Sequence, residues 1–163
     1  MEKKVLRINV NGIDEELFIN PKALLVEVLR DHLGLTGTKR ACESVSCGCC
    51  TVLVDDMSVK SCSVLAMAAD GRNITTVEGL EQNGKLSAVQ KAFLDEGAFQ
   101  CGFCTAGMLM SATAFTNEVM AQGKIPSEEE VRDSIEGNLC RCTGYNSIVR
   151  AISAVAEGKY KEE

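Results

Sequence analysis

Nine cysteines stand in a chain of 163 residues that has a single histidine. Eight of them fall into two sets of four. Cys42, Cys47 and Cys50 follow the rhythm Cys-x4-Cys-x2-Cys, and Cys62 comes soon after. Cys101-x2-Cys104 and Cys140-x-Cys142 are two close pairs far apart in sequence. In a chain without a secretory signal, cysteines in such groupings point to metal ligands or redox groups. The first rhythm is the plant-type spacing for a [2Fe–2S] cluster. It suits the chemistry, because three thiolates can converge from one tight loop and the fourth from a neighbouring strand. Gly48 inside the loop permits close backbone approach.

Two structural zinc sites are the competing reading, since a four-cysteine shell also suits Zn²⁺. Zinc ribbons usually pair two short Cys-x-x-Cys knuckles, and the x4-x2 rhythm differs from that. Disulfides are the third reading. The remaining thiol, Cys49, would break the rhythm as a ligand and is read as a buried small residue beside the first set. His32 alone cannot supply a Rieske site, which takes two histidines on one iron. Arg141 places positive charge between two thiols of the second set. No G-x-G-x-x-G, P-loop, H-E-x-x-H or G-x-S-x-G stretch is present, so no catalytic residue is assigned.

The elements that must carry these thiols read as follows. Leu6, Ile8 and Val10 alternate like a half-buried strand. Asn11-Gly12 signals a hairpin, with Ile13 to Ile19 as the return strand. Pro21 opens a helical pattern with Leu25, Val28, Leu29 and Leu33 on one face. Arg40 to Cys50 is a loop. Thr51 to Val54, Val59 to Ser63 and Ile74 to Val77 read as extended, with a helical turn over Val64 to Ala69. Gly79 to Gly84 reads as a linker.

Beyond it every periodic segment is helical: Leu86, Val89 and Phe93; Met108, Ala112, Phe115 and Val119; Val131, Ile135 and Leu139 behind a Ser127/Glu130 capping box; Ile148, Ile152 and Val155. Met108 and Met110 are core filler. The expected class is α+β, with a small mixed sheet over residues 1–78 followed by a four-helix bundle over 79–163. Cys101 and Cys104 then lie at the start of the second bundle helix. Cys140 and Cys142 lie in the turn between the third and fourth.

Lys and Arg number 17 against 23 Asp and Glu, a net charge of −6 with no basic stripe and no Trp. A nucleic-acid partner is not expected. No run suits a membrane span. The opening residues lack the apolar core of a secretory signal, so a cytoplasmic location is expected.

Three stretches carry a resemblance. Cys42-Glu-Ser-Val-Ser-Cys47-Gly-Cys-Cys50-Thr-Val, Gln100-Cys-Gly-Phe-Cys104-Thr-Ala-Gly-Met108 and Gly137-Asn-Leu-Cys140-Arg-Cys-Thr-Gly-Tyr145 resemble the small iron–sulfur subunit of the molybdenum hydroxylases. This is the family of xanthine dehydrogenase, aldehyde oxidoreductases, carbon monoxide dehydrogenase, nicotinate dehydrogenase and 4-hydroxybenzoyl-CoA reductase. The resemblance spans about residues 4 to 157. It implies a plant-ferredoxin-like β-grasp domain and a helical domain, each with one [2Fe–2S] cluster.

It also implies an electron-relay role in an oxidoreductase, with no substrate-converting site on this chain. The implied partners are a large subunit with molybdopterin, in a dinucleotide form, and a medium FAD subunit. The set Cys101, Cys104, Cys140 and Cys142 would lie nearest the molybdopterin, with Gln100 contacting the pterin. The set Cys42, Cys47, Cys50 and Cys62 would face the flavin. Val45, Cys49 and Ala106 stand where the family usually has Gly, Ala and Pro. If the Val45 position needs a positive φ, a β-branched residue there is strained or the loop takes another path.

Overall fold

The computed structural model describes residues 2–160. Alternating burial of Leu6, Ile8 and Val10 makes β1 (Lys4–Val10), and β2 (Ile13–Ile19) returns antiparallel from it in register Val10↔Ile13. Asn11 and Gly12 turn the chain with φ of 53° and 85°, the left-handed pair that a tight hairpin needs. The helix begins later than the Pro21 pattern suggests. Asn20 to Ala23 form a turn, and α1 (Leu25–Glu27) starts after Leu24, whose N–H is capped by Glu27 Oε2 at 2.8 Å. It continues as a wider π turn, Val28–His32, in which Leu33 N bonds back to Val28 O.

Two further strands, β3 (Thr51–Val54) and β4 (Met57–Lys60), pair antiparallel around Asp55 and Asp56. The extended reading of Val59 to Ser63 is half right, because Ser61–Ser63 coils into a 3₁₀ turn. A second 3₁₀ turn covers Ala66–Ala69. The last strand, β5 (Asn73–Thr75), stops before Val77, which opens another 3₁₀ turn. The sheet order is β2-β1-β5-β3-β4, with β1 and β5 parallel. Leu6, Ile19, Leu25, Val28, Leu29 and Ile74 close one core between this sheet and α1. Full burial of each such side chain is worth about 1.5–3 kcal/mol.

Four helices follow: α2 (Ala88–Asp95), α3 (Thr105–Ala121), α4 (Glu128–Ser134) and α5 (Asn146–Ala156). Ser87 caps α2 and Ser127 caps α4, and each serine's backbone N–H donates in return to the Gln90 or Glu130 side chain. Phe93, Met108, Met110, Val131, Ile135, Ile148 and Ile152 fill the second core. Leu139, placed on the α4 face by periodicity, instead lies beyond the helix and is exposed. The two cores meet at β3. Val52 points into the sheet core, and Leu53 into the helical one.

Candidate metal centres

The first set of thiols hangs on the loop between α1 and β3. Two residues there take left-handed backbone, Glu43 at φ 53° and Val45 at φ 65°. The loop therefore keeps the path that favours glycine and bears the strain of a valine. Arg40 holds its start through Glu27 at 3.3 Å and through Glu43. Lys60 Nζ donates to Val45 O at 2.8 Å. The N–H groups of Ser44 and Cys47 donate to Cys42 Sγ at 3.5 and 3.4 Å. Cys62 arrives on the 3₁₀ turn after β4 and is buried with Cys50 and Val26.

The four thiols gather together. Cys42 interacts with Cys47, and Cys50 with Cys62 and Cys47, while the ninth thiol, Cys49, also contacts Cys47. The backbone N–H of Ser44, then the Cys47 thiol, pull the Cys42 thiol down to about 6. Burial pushes Cys50 up to about 11. Cys49 is 5% exposed, among Cys47, Cys50 and Cys42, and burial pushes it up to about 12.

The second set lies where sequence places it. Cys104 is the N-cap of α3, with Cys101 just before it, and Cys140 and Cys142 occupy the α4–α5 loop. Again the thiols gather, Cys101 with Cys142 and Cys104 with Cys140. Burial pushes Cys104 up to about 12. Burial also acts upward on Cys140, but bonds from the Thr143 hydroxyl and nearby backbone N–H groups outweigh it and bring that thiol down. The backbone N–H of Phe103 lowers Cys101. Cys101 and Cys142 are exposed, as are Gln100 and Arg141.

This donor set suits a binuclear cluster. A [2Fe–2S] group takes four thiolates shared between two irons. Each set brings four thiols together, with all eight drawn from two loops, a 3₁₀ turn and one helix start.

A buried seam joins the two loops. Asn138 Nδ2 donates to Gly48 O at 3.1 Å, and Ser111 Oγ donates to Asn138 Oδ1 at 2.8 Å. Leu139 N donates to Cys47 O at 2.9 Å. Thus one hydrogen bond links Cys47 to the residue preceding Cys140. The packing is close enough to require glycine. A β-carbon on Gly107 would sit 2.2 Å from Gly48 O, and one on Gly48 would sit 2.4 Å from Gly137 O. Sequence reading missed Asn138, Thr143, Tyr145 and Lys60 as site residues. Their partners are set by the tertiary fold, so spacing carries no signal for them.

Residues 8–80 match the family described as "2Fe-2S iron-sulfur cluster binding domain", and residues 76–153 match "[2Fe-2S] binding domain". The chain is 47% identical over 145 residues to the nicotine 6-hydroxylase small subunit of Paenarthrobacter nicotinovorans, covering 89% of this chain and 85% of that one. It is 43% identical to the caffeine dehydrogenase subunit gamma of Pseudomonas sp. (strain CBB1), covering 96% and 93%. Among solved structures, quinoline 2-oxidoreductase from Pseudomonas putida 86 superposes with a TM-score of 0.89 at 45% identity, covering 97% of this chain and 96% of that one. The aldehyde oxidoreductase from Desulfovibrio gigas gives 0.84 at 44% identity, covering 98% of this chain but 18% of the other. With both halves matched and the fold shared nearly end to end, this chain belongs to the family of small [2Fe–2S] iron–sulfur subunits of the molybdenum hydroxylases.

Proposed function

We propose that Cys42, Cys47, Cys50 and Cys62 ligate one [2Fe–2S] centre and Cys101, Cys104, Cys140 and Cys142 a second. The chain relays single electrons between partner subunits through them. Each bound centre supplies one-electron transfer. The observation that supports the reading is the gathering of the eight thiols into two groups of four, with the loops that carry Cys47 and Cys140 joined by the Cys47–Leu139 hydrogen bond.

The protein's own residues then have distinct tasks. Backbone N–H groups of Ser44 and Cys47 favour thiolate at Cys42. The Asn138 seam fixes the separation of the two loops. Residues 1–78 and 79–163 form the two units, with one centre each. The exposed edge of the second set bears Phe99, Phe103 and Leu139 beside Gln100. An apolar rim around exposed thiols suits a permanent partner more than water. We assign that face to a large molybdopterin-binding subunit, with the Gln100 amide, which both donates and accepts, meeting the pterin. A medium FAD subunit is the assigned neighbour of the first set. Free thiolate ligands suit a reducing, cytoplasmic compartment. Among the described residues no helix is long and apolar enough to cross a membrane.

The test is anaerobic production with iron available, followed by metal and sulfide analysis and a reductive titration watched by electron paramagnetic resonance. Two iron and two sulfide per centre, and two distinct reduced signals, are expected. A colourless zinc protein would overturn the proposal.

A further inference from the structure

We propose that Thr143 is a positioning residue that raises the reduction potential of the second centre by donating a hydrogen bond from its hydroxyl to the Cys140 sulfur. The inference rests on the reading above, that Cys140 is a cluster ligand. Thr143 Oγ1 lies 3.1 Å from Cys140 Sγ. Distance alone leaves the direction of that bond open, and two neighbours decide it. A ligating thiolate has no proton to give. In addition, Tyr145 N donates to Thr143 Oγ1 at 3.2 Å, which occupies a lone pair and leaves the hydroxyl hydrogen free for the sulfur.

The surrounding backbone is shaped around this contact. Tyr145 sits at φ 69°, in the left-handed region that a bulky residue rarely enters. Such strain persists where neighbours over-determine it. Here they do. The Tyr145 phenol accepts from Cys140 N at 2.8 Å and donates to Asn138 O at 3.1 Å, while its backbone N–H serves Thr143. The tyrosine thus ties off the Cys140 N–H and orients the hydroxyl beside the sulfur.

A hydrogen bond to a ligand sulfur offsets the extra negative charge of the reduced cluster and so favours reduction. Cys42 in the first set receives its bonds from backbone N–H groups instead. Changing Thr143 therefore separates the two centres.

The experiment is a redox titration of the assembled complex, following the two reduced signals separately, for wild type, Thr143→Val, Thr143→Ala and Thr143→Ser. The expected result is a lower midpoint potential of the second centre in the Val and Ala variants. The first centre stays where it was, and Ser returns the second to the wild-type value. Unmoved potentials, equal shifts in both centres, or a Ser variant that behaves like Val would overturn the inference. So would a second centre that fails to assemble in both Val and Ala but forms with Ser, since Thr143 would then be a requirement for assembly. A wild-type complex with one signal or with zinc would overturn the proposed function itself. Two normal centres with unmoved potentials would overturn only the role of Thr143.

Discussion

The Asn138 side chain donates to the carbonyl of Gly48, 90 positions earlier in the chain, across 3.1 Å of buried space. Together with the bond from Leu139 N to Cys47 O, it holds the two cysteine loops to each other. Gly48 O also accepts from Thr51 N and Thr51 Oγ1. Loss of the amide would therefore leave that carbonyl satisfied but strand the Ser111 hydroxyl, whose acceptor is Asn138 Oδ1. Asn138→Ala is expected to cost about 2 kcal/mol. The measurement is the urea concentration at which visible cluster absorbance is lost, which should fall.

Gly107 faces the same seam from α3. Its missing β-carbon leaves room for Gly48 O and for the Cys49 Cα, which would otherwise lie 2.2 and 2.9 Å away. Both neighbours are backbone and cannot swing aside. Gly107→Ala is expected to destabilise by about 3 kcal/mol or to prevent assembly of both centres. Gly97→Ala, with open space but φ of 59°, should cost only about 1 kcal/mol. Comparing iron content and melting temperature of the two variants tests the contrast.

Val45 is 43% exposed and left-handed. Relief of that strain by Val45→Gly should outweigh the added entropy of the unfolded chain, for a net gain of about 0.5–1 kcal/mol. A higher melting temperature with unchanged iron content is the expected reading. A lower one would mean that the side chain contributes packing that its exposure does not suggest.

The thiols of the iron-free chain should react in a set order. The thiolate is the nucleophile and forms above the pKa. Cys42 is drawn down to about 6 by the Ser44 N–H, so its alkylation should rise through that pH and level off by neutrality. Cys104 is pushed up to about 12 by burial and should stay unmodified at neutral pH. Mass mapping of peptides after brief iodoacetamide treatment across a pH series checks both.

Much of this arrangement is written in local pattern. The Asn11-Gly12 turn, the Ser127/Glu130 cap and the stripe Ile148, Ile152, Val155 all concern residues within one or two turns of each other, where periodicity and capping chemistry act directly. Cys49 reads as buried for the same kind of reason, since thiols are small and apolar. The misses share a different cause. Nothing near Pro21 shows that Leu24 bridges to Leu65 and delays the helix. Leu139 keeps helical spacing, yet α4 has already ended at Ser134 and the Leu139 N–H is claimed by Cys47 across the seam. Asn138, Thr143 and Tyr145 look like ordinary loop residues until the fold brings Gly48, Ser111 and Cys140 beside them.

Strand β3 gives adjacent side chains to opposite sides, Val52 inward and Leu53 toward the helices. Neither half can lose its order without stripping a wall from the other. Proteolytic nicking near residue 82 should therefore not liberate two independently melting fragments, and heat should disperse both halves in one cooperative event.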